Sequence, residues 1–263
     1  MTPQQQAVDP ADPAEREVRS ERHGRVAVIT VSDPTRRNAM ALDLAEQLVA
    51  AVTAAESDEG IGAIVITGQE PGFCAGADLG QLGESKEAGL RSIYQGFLAV
   101  AECTLPTIAA VNGAAVGAGM NLALACDVRL AGPRARFDSR FMQLGLHPGG
   151  GYTWMAQRAL GAQGAYAVTL FGEILDAEQA ERAGLVWRSV ADPLKTAIEL
   201  AGRAADAPRD LAITTKRTLK VTAGLAKQTD AVEVEIRSQV ASLDSPAFAE
   251  RLAALKKKVS RIK

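Results

Sequence analysis

Histidines, cysteines, charge excess and phosphate-binding glycine patterns are what this chain has least of. Only two histidines, His23 and His147, occur in 263 residues. Three cysteines, Cys74, Cys103 and Cys126, form an odd set without metal-ligand spacing. That excludes a disulfide framework and a zinc site, and it fits a reducing cytoplasm. A net charge of -2 provides no basic face for a polyanion, so nucleic-acid binding has no support. No apolar run approaches the roughly 18 residues of a membrane span. The first residues, "MTPQQQAVDPADPAERE", lack the basic start and apolar core of a secretory signal and read as a solvated tail over residues 1–17. Neither G-x-G-x-x-G nor G-x-x-x-x-G-K-[ST] follows a strand, which argues against a nucleotide-dependent enzyme.

What is present is an α/β pattern. "RVAVITVS" (25–32) alternates and is β-branched, hence a strand. "LDLAEQLVAAVTAAESD" (42–58) has helical apolar spacing. "AIVITG" (63–68) and "TIAAVNG" (107–113) are short apolar runs of the buried strand type, and "DVRLAG" is another strand. Helices are expected over 89–103 and 118–126. Beyond residue 150 helices dominate, at about 155–171, 192–207, 209–225, 228–243 and 245–259. A core over 18–200 is therefore followed by a helical region over 201–263, a candidate oligomer surface.

Two glycine-rich loops follow buried strands: "GFCAGADLG" (72–80) and "GAAVGAGMN" (113–121). A nucleophilic Cys74 needs a base or a positive field nearby. Neither histidine is close to it in sequence, so Cys74 reads as a small packing residue. Small residues let a backbone approach a ligand closely. A helix start offers unpaired N–H groups with a dipole that favours negative charge. Two such loops can hold two N–H donors around one oxygen, an oxyanion hole. On composition alone, the alternative is a pair of closely packed tight turns.

The segments "RNAM" (37–40), "GFCAGADL" (72–79), "PTIAAVNGAAVGAGMNLALACDVRLA" (106–131) and "GLHPGGGYTWMAQRALG" (145–161) resemble the crotonase superfamily, the enoyl-CoA hydratase/isomerase family. The likeness runs from about residue 18 to the C-terminus. It implies a spiral of stacked ββα units with a helical C-terminal layer, assembled as homotrimers or dimers of trimers. It implies acyl-CoA thioester substrates that carry their own coenzyme A, with no separate cofactor and no metal. The thioester oxygen would accept from the backbone N–H groups of Ala77 and Ala118. Arg36 and Arg37 match positions near the coenzyme A phosphates, though a solvated turn explains them equally. Ala39, Ala75, Ala77 and Leu79 match segments that hold adenine and pantetheine. Asp78 matches an aspartate that bonds local backbone. Lys258 matches a lysine that reaches coenzyme A, while a polar helix end explains it more simply.

The chain departs from the family where hydratases place two glutamates. Asn121 occupies the first slot, and an amide can orient water but cannot take its proton. Phe141 occupies the second, with Arg140 in the preceding proline slot. Asp138 and His147 are the candidate substitutes, and Tyr94 and Tyr152 are further hydroxyls. Each has a plainer reading: Asp138 pairs with Arg136 or Arg140, His147 is a loop residue, and the tyrosines pack. The expectation is an enoyl-CoA hydratase/isomerase of fatty-acid metabolism with non-standard proton carriers. The alternative is a non-catalytic acyl-CoA binder.

Overall fold

The computed structural model describes residues 16–81 and 86–260, so residues 1–15 of the expected tail lie outside it. The chain opens with β1 (Glu17–His23), paired antiparallel to β2 (Val26–Ser32). Parallel pairing then adds β3 (Ala63–Gly68), β4 (Thr107–Val111), β6 (Val128–Ala131) and β9 (Arg188–Ser189), giving the order β1-β2-β3-β4-β6-β9. A small second sheet joins β5 (Ala114–Val116), β7 (Arg136–Asp138) and β8 (Leu175–Asp176). Single bridges, Cys74 to Ala115 and Met40 to Ala77, extend this layer outward from β5.

Each repeat of the chain therefore makes the same circuit. A strand of the large sheet leads to a strand or bridge of the small layer, and then to a helix. β2 leads through Met40 to α1 (Leu42–Ser57), and β3 through Cys74 and Ala77 to α2 (Lys86–Glu102). β4 leads through β5 to α3 (Ala118–Ala125), and β6 through β7 to α4 (Tyr152–Leu170). This is a spiral of ββα units. A short α5 (Ala177–Arg182) precedes β9.

The strand pattern fixes the core. In β3, Ile64 and Ile66 face the main cluster with Leu44, Leu48, Ile93 and Phe97, while Ala63 and Val65 face α6 (Pro193–Ala205). Both sides of the strand are buried, which is why it reads as an unbroken apolar run. α6 offers Ala197, Ala201 and Ala205 at helical spacing, and Gly62 lies against the Ala205 backbone with no room for a Cβ.

Several short elements carry no pattern to read. β1 is charged and mostly exposed, as suits an edge strand. β8 and β9 have two residues each. α4 starts at Tyr152, directly after the glycine turn, and breaks at Gly161, where φ is 67°. α7 (Arg209–Thr222), α8 (Gln228–Leu243) and α9 (Pro246–Ser260) follow. α8 buries nothing among the described residues, and Ile236, Val240, Phe248 and Leu255 are exposed on α8 and α9.

Candidate functional site

Loop 72–80 is held by neighbours on both sides. Cys74 N–H donates to Ala114 O (3.0 Å), and Val116 N–H donates to Cys74 O (3.0 Å). On the other side, Met40 N–H donates to Gly76 O (2.7 Å) and Asp78 N–H to Met40 O (2.8 Å). In a parallel bridge of this kind the intervening Ala77 N–H points away from Met40. Gly76 sits at φ 119°, a conformation that glycine adopts without strain.

The second loop runs into α3. Gly117, at φ 51°, precedes the helix and donates its N–H to Asp138 O (2.9 Å). Its carbonyl accepts from Met120 (2.9 Å) and Asn121 (3.2 Å), so Ala118 opens the helix with its N–H outside the helical bonds. Gly119 lies directly on the Cys74 carbonyl, where a Cβ would collide with backbone. Cys74 is in register with Ala115, and three residues further along each segment stand Ala77 and Ala118. Both are half-buried, and neither N–H has an acceptor among the described residues. The loops thus present two unpaired donors from adjacent backbone segments.

The side chains around them are short of proton carriers. Asn121 is 2% exposed, and its Nδ2 donates to the carbonyls of Gly149 (2.8 Å) and Gly150 (3.3 Å). Its Oδ1 is buried without a partner. Phe141 lies beside Gly117 and packs on Tyr152, with ring centroids 5.1 Å apart. Asp138 is buried, and Arg140 Nε donates to its Oδ2 (2.8 Å). This pairing raises the Arg140 pKa, and Arg140 holds the uncommon φ of 56°. The carboxylate is thus engaged by a cation, as the plainer sequence reading expects. His147 is exposed, and its Nδ1–H donates to Pro148 O (2.7 Å). Burial raises the Tyr152 and Tyr94 pKa values, so both are neutral phenols near neutral pH.

The turn at residues 33–40 packs against the first loop. Arg36 forms an ion pair with Asp78, whose Oδ1 also accepts from Gly80 N–H (3.2 Å). Arg37 is exposed, and its carbonyl accepts from Ala75 N–H (3.1 Å). Ala39 is half-buried and donates to Arg36 O (3.1 Å), and Leu79 is exposed. Lys258 belongs to α9, but its side chain lies outside the described residues.

Asn38 is a residue that sequence reasoning missed. Buried at φ 62°, it accepts from Asp33 N–H (2.9 Å) and donates to Gln69 O (2.7 Å) and Gly72 O (3.0 Å). It ties the Arg36–Arg37 turn to the first donor loop. The signal was available, since asparagine is among the few non-glycine residues that tolerate this conformation.

Cys74 is buried, with its thiol pushed up to about 11 by burial, so it packs rather than reacts. Among the described residues no cluster of three or more His, Cys, Asp or Glu could hold a metal, and no helix is long and apolar enough to cross a membrane. Two cavities of about 960 and 940 Å³ lie away from the donor loops, one along α7–α9 and one between the ends of α3, α4 and α7. Neither Ala77 nor Ala118 lines either cavity.

The spiral and its paired loops define a crotonase-type protein, and the comparisons agree. The sequence model of the enoyl-CoA hydratase/isomerase family matches residues 21–258. A Mycobacterium tuberculosis protein named "Probable enoyl-CoA hydratase" is 52% identical over 238 residues, spanning 87% of this chain and 93% of that protein. The 2,3-dehydroadipyl-CoA hydratase of Escherichia coli is 42% identical over 167 residues, 63% of this chain and 66% of that one. The crystal structure of a Polaromonas enoyl-CoA hydratase superposes with TM-score 0.85 at 29% identity, covering 92% of this chain and 97% of that one. An enoyl-CoA hydratase from Bacillus anthracis gives TM-score 0.87 at 26% identity, covering 92% and 96%. This chain belongs to the enoyl-CoA hydratase/isomerase family.

Proposed function

We propose that the protein holds the thioester oxygen of an acyl-CoA between the N–H groups of Ala77 and Ala118 and stabilises the enolate that forms there. The observation that carries this reading is the pair of unpartnered N–H groups on adjacent loops. Charge that develops on the oxygen meets donors already in place, and loss of one such donor typically lowers rate by about 10²–10³. Coenzyme A arrives with the substrate, so no separate cofactor is needed. Arg36 and Arg37 face its phosphates, and the backbone around Ala39, Ala75 and Leu79 flanks adenine and pantetheine. Lys258 contributes from the C-terminal helix. The exposed apolar residues of α8 and α9 pack against other copies in a homotrimer or a dimer of trimers. The setting is cytoplasmic fatty-acid metabolism.

The reaction is not ordinary hydration. Asn121 and Phe141 cannot move protons, Asp138 is engaged by Arg140, and His147 is turned to its own loop. The protein therefore binds long or branched acyl-CoA and hydrates crotonyl-CoA poorly or not at all. The same residues favour the second reading, an acyl-CoA binder without turnover. Two measurements test this. Crotonyl-CoA hydration, followed by loss of enoyl absorbance, is expected far below that of two-glutamate relatives, and a comparable rate sinks the hydration claim. Ala77→Pro removes a donor that no group among the described residues uses. A folded variant that keeps full acyl-CoA affinity and any turnover rejects the oxyanion assignment.

A further inference from the structure

We infer that Arg36 is a positioning residue of an electrostatic kind: it neutralises the carboxylate of Asp78, the residue that follows Ala77, and so keeps the first donor fit to receive negative charge. This rests on the reading of Ala77 and Ala118 as donors to a thioester oxygen. Arg36 Nη1 donates to Asp78 Oδ2 and forms an ion pair with it. The Asp78 side chain is 9% exposed, so solvent does little to screen its charge, while the Arg36 side chain is 51% exposed. Asp78 Oδ1 accepts from Gly80 N–H (3.2 Å), a neutral donor that leaves the charge in place. Among the described residues no other cation forms an ion pair with Asp78.

The backbone sets this carboxylate beside the donor. Met40 clamps both sides of Ala77, its N–H donating to Gly76 O (2.7 Å) and its carbonyl accepting from Asp78 N–H (2.8 Å). Ala77 O accepts from Leu79 N–H (3.0 Å), which closes a tight turn around Asp78. One residue of chain puts the carboxylate within about 10 Å of an oxygen held by the Ala77 N–H. A negative charge at that range opposes charge building on the oxygen, and burial weakens the screening. The opposing cation comes from fixed backbone. Arg36 N–H donates to Oδ1 of the buried Asp33 (3.0 Å), and Arg36 O accepts from Ala39 N–H (3.1 Å). Asp78 thus serves the loop through Gly80 N–H, and Arg36 cancels the charge that comes with it.

The test compares two ligands of equal acyl length. One is a saturated acyl-CoA, neutral at the thioester. The other is an analogue in which an ionised nitronate stands in for the enolate. Both carry the same coenzyme A, so any contact of Arg36 with phosphate cancels in the ratio of their affinities. Wild type is expected to prefer the nitronate. Arg36→Met should lower that preference by about 2- to 10-fold, the scale of one partly screened charge. Asp78→Asn added to Arg36→Met should restore it, since asparagine removes the charge and keeps an oxygen for Gly80 N–H. Asp78→Asn alone leaves the guanidinium unopposed and should raise it. If Arg36→Met leaves the preference unchanged, even with both affinities lowered, Arg36 serves phosphate or the fold alone. The inference is then rejected while the thioester reading stands. If the preference falls and Asp78→Asn does not restore it, neutralisation is rejected as well. If wild type shows no preference for the nitronate, or binds neither ligand, the two-donor reading itself fails.

Discussion

The Cα of Gly119 rests on the carbonyl oxygen of Cys74, with no space for a side chain between them. One close approach thereby locks the start of α3 against the first donor loop. Gly119→Ala should force the two segments apart. We expect a loss of about 1–3 kcal/mol, the usual range for overpacking. Acyl-CoA affinity should fall with it. Denaturant unfolding and ligand titration check this, and unchanged affinity would show that the loop spacing is not critical.

Lys216 on α7 is buried, with Nζ 2.6 Å from Asp127 Oδ2 and 2.7 Å from Leu105 O. Asp127 also accepts from Thr107 N–H (2.8 Å) at the start of β4. Lys216→Met removes the cation and leaves the Asp127 carboxylate to Thr107 and solvent. Asp127 is exposed, so water takes over part of the compensation and the expected loss is about 1 kcal/mol, read as a lower midpoint in urea with unchanged slope. A shift under a quarter of that would mean water replaces the ammonium.

Phe141→Glu tests whether a carboxyl at this position supports hydration. Phe141 is 8% exposed and packed on Tyr152, whose hydroxyl also senses the Asp138 charge. A carboxyl there would be desolvated and its pKa raised. It would also leave the Tyr152 ring without the aromatic face it packs on. Stability should drop by about 3 kcal/mol or more, with no gain in crotonyl-CoA hydration. Appreciable hydration by the single variant would contradict the proposal that Asn121 cannot serve in acid–base catalysis.

All three cysteines are buried, and burial pushes Cys74 up to about 11 and Cys103 and Cys126 up to about 12 from 9.0. Raised folded-state values mean that the unfolded chain releases thiol protons first. Stability is therefore intact below pH 9.0 and falls between 9.0 and about 12. Each thiol contributes up to about 1.4 kcal/mol per pH unit over that window. Unfolding measured from pH 8 to pH 11 checks the slope, and a thiol reagent should label none of the three in the folded protein at pH 8. Rapid labelling of Cys74 would reopen its reading as a nucleophile.

Much of the frame is legible because local order and burial leave marks in sequence. β3 is an unbroken apolar run because both faces are covered, and α1 begins and ends within a residue of its helical pattern. β8 and β9 are invisible because two residues carry no periodicity. The sequence leaves the partner of Asp138 open between Arg136 and Arg140, and the fold pairs it with Arg140.

The sequence alone determined the α/β alternation, the two small-residue loops and the presence of Asn121 and Phe141 at their positions, because each is a matter of which atoms the chain carries. Only the tertiary structure decided that Ala77 and Ala118 stand on neighbouring segments with their N–H groups unspent among the described residues, and that Asn121 Oδ1 has no partner there. Whether a polar group is satisfied depends on what the fold brings within about 3 Å of it, and those partners come from stretches far apart along the chain.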